Sequence, residues 1–210
     1  MASFEDLSKQ VITGNQVKVK EVTQALIDEG SAPLDIINLG LIAGMNIVGS
    51  RFKNGEMFVP EVLMAAKSMS AGIEIVKPLI ADKDMPSIGK VLLGTVKGDL
   101  HDIGKNLVGM MLESGGFTVI NMGIDISPEQ FIKAVKEHNP DILAMSALLT
   151  TTMLHMKDTI ELLKEEGLHN KVKVIVGGAP ISQDFADEVG ADGFAPDAAS
   201  AVDLCKKLLS

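Results

Sequence analysis

The chain has no tryptophan and no tyrosine, a single cysteine, Cys205, and a single arginine, Arg51. One cysteine excludes an internal disulfide framework and any multi-cysteine zinc or iron–sulfur centre. Without Trp or Tyr there is little for nucleic-acid bases to stack on. With 28 acidic against 19 basic residues, the net charge of −9 suits neither a phosphate backbone nor the polyanions that resemble one. No uninterrupted apolar run reaches the length of a membrane span. The start, MASFEDLSKQ, lacks the basic region and apolar stretch of a signal peptide. These absences leave a cytoplasmic globular protein of 210 residues, one or two domains long, that handles a small molecule or other proteins.

What is present falls into two parts. The first eighty residues carry four stretches with helical spacing, at 3–13, 17–28, 33–52 and 60–76. Pro33 and Pro60 sit near a first turn, where a missing N–H costs little. Lys53-Asn54-Gly55-Glu56 is a turn signal between the last two. Four helices with short connections predict a helical bundle over 1–80. The pattern breaks from Pro78 to Gly89, and a linker is expected at 81–89.

From Lys90 to the end, short β-like runs alternate with helical ones. Strands are predicted at 91–96, 117–121, 142–146, 172–176 and 193–195. Ser127-Pro128-Glu129-Gln130 is a capping box, and Ser182 is placed to cap a further helix. Five βα units predict a Rossmann-like, flavodoxin-like parallel sheet over 90–210, with strand order 2-1-3-4-5. The overall class is therefore α plus α/β.

In such sheets, ligands bind beyond the carboxyl ends of the strands. The segments expected there are 97–104, 146–152, 177–180 and 196–200. They are rich in Ser, Thr, Gly and Ala, which suggests a large neutral ligand with many amides. The dinucleotide motif GxGxxG, the phosphate loop GxxxxGK[ST] and the hydrolase elbow GxSxG are all missing. A phosphoacceptor aspartate would end the third strand, but Ser146 stands there, and Asp141 falls at the strand's start.

Asp99-Leu100-His101 remains. A carboxylate two residues before a histidine can hold Nδ1–H, fix the tautomer and leave Nε2 for a metal. Taken alone, the same motif reads as a polar loop with a solvated histidine at a helix start. His138, His155 and His169 have no partner at metal spacing and read as surface residues. One histidine without a cluster is not a zinc site; it fits a metal whose other ligands come from a macrocycle.

Asp99-x-His101-x-x-Gly104, then Ser146-x-Leu148, then Gly177-Gly178 resemble the cobalamin-binding module of methionine synthase. Over essentially its whole length the chain more closely resembles the small corrinoid proteins of anaerobic methyltransferase systems that use methanol, methylamines or methoxylated aromatics. The resemblance implies a helical cap, a Rossmann-like corrinoid domain and bound cobalamin, as methylcobalamin and cob(I)alamin or a related corrinoid. It implies His101 as the lower cobalt ligand, Asp99 as its hydrogen-bonding partner and Thr152 as the hydroxyl of the relay. Gly98, Asp102 and Ile103 flank the ligand. Ser146 and Thr150 match positions near the nucleotide tail, and Gly177, Gly178 and Ala198 match places where backbone lies against the corrinoid. Phe52, Val59 and Val62, with Met57 and Phe58 nearby, match the apolar residues over the upper cobalt face, although bundle core is the plain alternative.

The implied activity is a methyl carrier. Cobalt(I) accepts a methyl group from a substrate methyltransferase, and a second methyltransferase passes it to a pterin, such as tetrahydrofolate, or to a thiol such as coenzyme M. A reductive activase is the further implied partner. A cobalamin-binding regulatory or storage protein and a mutase-type module remain as alternatives at this point.

Overall fold

A computed structural model describes residues 2–80 and 87–210. The body of the linker expected at 81–89 lies outside the described residues. The chain divides into two compact units: Met1–Ser87 with Ser114–Gly116, and Ile88–Glu113 with Phe117–Ser210.

The first unit is built from four helical runs. These are α1 (Phe4–Ile12), α2 (Gln16–Asp28), the continuous run α3 (Pro33–Asp35), π-helical Ile36–Ile42 and α4 (Ala43–Lys53), and α5 (Val59–Val76). Side-chain caps start the first two: Ser3 Oγ accepts from the Asp6 N–H, and Asn15 Oδ1 accepts from the Lys18 N–H. At α5 the Phe58 N–H donates to Glu61 Oε2. The π-helical stretch was not expected; a wide turn at Ile36–Ile42 interrupts a run whose apolar spacing reads as one α-helix. Contrary to the sequence-based expectation, the run Pro33–Lys53 is long and apolar enough by composition to cross a membrane. Its Ile36, Ile37, Leu41, Met45 and Val48 are buried, and the run packs against α1 and α5 as a bundle helix does.

The second unit is a five-stranded parallel sheet of order β2-β1-β3-β4-β5. The strands are β1 (Lys90–Val96), β2 (Thr118–Ile126), β3 (Ile142–Ser146), β4 (Lys173–Gly177) and β5 (Gly193–Ala195). Between and after them run α6 (Ile103–Ser114), α7 (Pro128–His138), α8 (Leu154–Glu165), α9 (Gln183–Val189) and α10 (Ala198–Leu208). The expected caps form. Ser127 and Gln130 close a reciprocal box at α7, and Ser182 Oγ accepts from the Phe185 N–H at α9. Asp197 caps α10 through the Ser200 N–H.

β2 differs from expectation. It runs five residues past the predicted end, and its register to β1 slips between Leu93 and Gly94 and again between Gly94 and Val96. Gly123 and Asp125 take positive φ there, which breaks the alternation that a strand prediction depends on.

The core under α7 and α8 joins Leu92, Leu143, Met145 and Val174 of the sheet to Phe131, Ile132, Met156 and Ile160. Phe131 is fully buried and lies over Gly94, where a Cβ would stand 2.7 Å from the ring. Gly94→Ala should therefore destabilise the protein by about 1–3 kcal/mol, the usual range for overpacking. Phe131→Leu should make the glycine replaceable. Urea unfolding of the two single variants and the double variant should show the double costing less than the sum.

Candidate functional site

Because all strands are parallel, their carboxyl ends share one edge. The register sets Thr95, Ser146, Gly177 and Ala195 in a row across β1, β3, β4 and β5. The residues expected to act together leave this row: Gly98 to Gly104 after β1, Leu148 to Thr152 after β3, Gly178 after β4 and Ala198 after β5.

Asp99 is the centre of the arrangement. Its side chain is 0% exposed, whereas that of His101 is 51% exposed. Oδ1 accepts from His101 Nδ1 at 2.7 Å and from the His101 backbone N–H at 3.1 Å. Oδ2 accepts from the Thr152 hydroxyl at 2.7 Å and from the backbone N–H of Leu148 and Leu149 at 2.8 and 3.3 Å. Burial alone would raise the Asp99 pKa. The bonds from Leu148, Thr152 and His101 outweigh it and hold the carboxyl well below the ordinary aspartate value. An ionised acceptor at Nδ1 puts the imidazole proton there and leaves Nε2, on the opposite edge of a half-exposed ring, as a lone-pair donor. Thr152, Asp99 and His101 are thus joined in one chain of hydrogen bonds.

Other contacts fix the loop that carries the histidine. The Thr95 hydroxyl, fully buried, donates to the His101 carbonyl at 2.9 Å. The Gly98 N–H donates to Asp125 Oδ1 at 2.7 Å, and the Asp125 N–H donates to the Asp99 carbonyl at 3.1 Å. Asp102 turns to its own helix, where its carboxylate accepts from the Asn106 side-chain amide at 2.9 Å. Lys105 is buried and donates to Asn121 Oδ1. Burial lowers its pKa, and the nearby Asp102 offsets part of that shift. Thr95, Lys105 and Asp125 were not singled out from sequence. A hydroxyl at the end of an apolar strand was the only available signal for Thr95, and nothing marked Asp125.

The glycines divide by cause. At Gly178, with φ +128°, a Cβ would fall 1.8 Å from the Ala147 carbonyl oxygen, so the fold itself requires glycine. At Gly104 a Cβ would meet nothing within 4 Å. No neighbour in the chain demands glycine there, and the space stands open at the start of α6 beside His101.

The edge is also less polar than its composition suggested. Leu100 and Ile103 are 67% and 82% exposed, and Leu148, Leu149 and Leu154 are exposed as well. Leu100 lies within the histidine loop, Ile103 opens the helix after it, and Leu148 and Leu149 adjoin it through their bonds to Asp99. Ser146 is half-buried, Thr150 exposed and Ala198 buried. In the helical unit, Val62 is fully buried among the bundle residues and Met57 is also buried; Phe52 is half-buried, and Val59 and Phe58 are exposed.

Two family models match the chain, both described as a B12 binding domain, one over residues 89–203 and the other over residues 3–77. A corrinoid protein of Desulfitobacterium hafniense strain Y51 is 46% identical, covering 100% of this chain and 98% of its own length. The chain belongs to the corrinoid proteins. A dimethylamine corrinoid protein of Methanosarcina acetivorans is 44% identical over 100% of this chain and 99% of its own. Among solved structures, this corrinoid protein matches one in the methanol:cobalamin methyltransferase complex of Methanosarcina barkeri. That match has a TM-score of 0.88 and 32% identity, over 98% of this chain and 79% of the other. A cobalamin-binding protein of Desulfitobacterium hafniense DCB-2 matches with a TM-score of 0.83 and 34% identity, over 98% of both chains.

The residues of this corrinoid protein fit cobalamin. Among the described residues no three His, Cys, Asp or Glu side chains gather as a metal cluster. A single oriented imidazole is the donor set suited to a metal already held by a macrocycle. The apolar side chains around it suit a macrocycle face, and the open position at Gly104 leaves room for one.

The depressed Asp99 carboxyl is also a stability statement. Its contribution is complete above the unfolded pKa of about 3.9 and is lost as pH falls toward the folded value. Asp99→Asn should destabilise the apoprotein by about 2–3 kcal/mol at pH 7, since its amide presents donors to donors. Below about pH 4 the gap to wild type should narrow. Urea titrations of both proteins between pH 3 and 7 measure this; a gap independent of pH would mean the carboxylate is not the group held.

Proposed function

We propose that the protein is a methyl carrier, the corrinoid component of a methyltransferase system. It takes a methyl group from a substrate-specific methyltransferase and yields it to a second one, whose acceptor is a pterin or a thiol. The observation that carries this reading is the Asp99–His101 pair. A buried, ionised carboxylate presents one imidazole, tautomer fixed, at the carboxyl edge of a sheet ringed with exposed apolar side chains.

Bound cobalamin supplies a cobalt centre able to accept and release a methyl group. The chain supplies the rest. His101 Nε2 would hold the cobalt of bound cobalamin. Asp99 holds Nδ1–H and so fixes the tautomer that leaves the Nε2 lone pair available. Thr152 completes the relay by donating to Asp99. Gly98, Asp102, Ile103, Gly104 and Leu148 form the rim around the ligand. Ser146 and Thr150 take the nucleotide tail, and Gly177, Gly178 and Ala198 offer backbone to the corrin edge. For Phe52, Val59 and Val62 of the helical unit, a shielding role rests on the resemblance alone, and the burial of Val62 favours bundle core for that residue.

Relatives named for dimethylamine and for methanol share this scaffold. That fits a division of labour in which the partner methyltransferase selects the donor. The solved complex of a methanol relative with its methyltransferase supports a direct docking step. A reductive activase, returning oxidised cobalt to its reactive state, completes the proposed set of partners in the cytoplasm.

Two measurements test the site. In protein reconstituted with cob(II)alamin, ¹⁵N-labelled histidine should change the electron-spin superhyperfine splitting from cobalt; an unchanged pattern overturns His101 as ligand. Gly104→Leu should leave the apoprotein as stable as wild type or slightly more so, since leucine favours helix and its Cβ meets nothing within 4 Å. The same substitution should weaken cobalamin binding by at least about tenfold, or 1.4 kcal/mol.

A further inference from the structure

The strand β2 does not end where its pairing pattern would let it. Its tail, 121–125, is bulged, and the two departures from regular strand geometry there are Gly123 at φ +90° and Asp125 at φ +56°. Among the described residues only Asp125 and Asn139 combine a side chain with positive φ. Asn139 is the left-handed cap of α7, an ordinary role for asparagine. Asp125 caps no helix. A left-handed conformation at a residue with a Cβ persists only where its surroundings over-determine it.

Two sets of bonds do so. On one side Lys105, only 4% exposed, reaches from α6 and donates to Asn121 Oδ1 at 2.7 Å and the Gly123 carbonyl at 3.2 Å. The Gly123 N–H donates back to Asn121 Oδ1 at 3.0 Å. A buried cation therefore holds the bulge shut. On the other side Asp125 meets the histidine loop twice, as acceptor from the Gly98 N–H and as donor to the Asp99 carbonyl. These contacts pin the backbone directly before and at Asp99, while Thr95 pins it at His101.

We propose that Asp125 is a positioning residue for the axial ligand, gripping the Gly98–Asp99 backbone from a β2 tail that Lys105 holds in place. Asp99 sets the tautomer and direction of the imidazole; Asp125 sets where the loop that carries it sits. The proposal rests on the reading that His101 would hold the cobalt, and its consequence is for the fraction of protein in which it does.

Two variants of the full chain separate the bond from the backbone strain. Asp125→Gly keeps the left-handed φ and removes the acceptor. Asp125→Asn keeps both, through Oδ1 and the tolerance of asparagine for this region. In the apoprotein, amide exchange at Gly98 should accelerate about tenfold in Asp125→Gly, the worth of one hydrogen bond to a charged group. It should stay near wild type in Asp125→Asn, with exchange in the β1 and β3 core unchanged in both. After reconstitution with cob(II)alamin, the histidine ¹⁵N coupling should fall in amplitude or become heterogeneous in Asp125→Gly and be intact in Asp125→Asn.

If wild type shows the coupling and Asp125→Gly matches it, the positioning role is overturned, whatever the exchange rates. Unchanged Gly98 exchange in Asp125→Gly overturns the grip itself. If wild type shows no histidine coupling, the ligand assignment fails instead, and the grip is judged by exchange alone.

Discussion

A carboxylate removed from water must find hydrogen bonds or give up its charge. Asp99 is fully buried and keeps its charge, because its two oxygens accept from three backbone N–H groups, a hydroxyl and an imidazole. Everything functional about the edge follows from that requirement. The carboxylate can be satisfied only if the loop after β1 and the loop after β3 lie side by side, which the adjacency of those strands provides. Once satisfied, it leaves the histidine one available orientation. Structure and reactivity are here the same set of bonds.

Much of this was legible in the sequence, for identifiable reasons. The strand order and the positions of β1, β3 and β5 followed from apolar runs separated by capped helices, and Ser127, Gln130 and Ser182 cap where their spacing said they would. The dyad was legible because a two-residue step lets aspartate reach histidine. What was not legible depends on backbone conformation or on distant partners. The extension of β2 hinges on two positive φ values, and the π-helical stretch Ile36–Ile42 on a hydrogen-bond shift that leaves apolar spacing nearly unaltered. Lys105 reads as a surface lysine until Asn121 is folded against it.

The edge also shows how composition misleads about surfaces. Counting Ser, Thr, Gly and Ala in the loops gave a rim of small and polar side chains. The fold turns Leu100, Ile103, Leu148, Leu149 and Leu154 outward instead of into the core. Large apolar side chains exposed along one edge of a sheet are what a binding surface needs. An apolar surface is part of the same rim, which a count of small polar residues does not register.

The donors that hold Asp99 come from chain positions some fifty residues apart, which has a consequence in time. A segment ending before β3 contains the histidine but not Leu148, Leu149 or Thr152. In such a segment the aspartate can still reach the imidazole, but its second oxygen has only water to accept from and the pair no reason to be buried. The buried carboxylate that orients the imidazole therefore comes into existence only after the central strands have paired, late in synthesis or in refolding. A nascent or locally opened chain offers no more than a solvated histidine, and the oriented one is a property of the paired sheet alone.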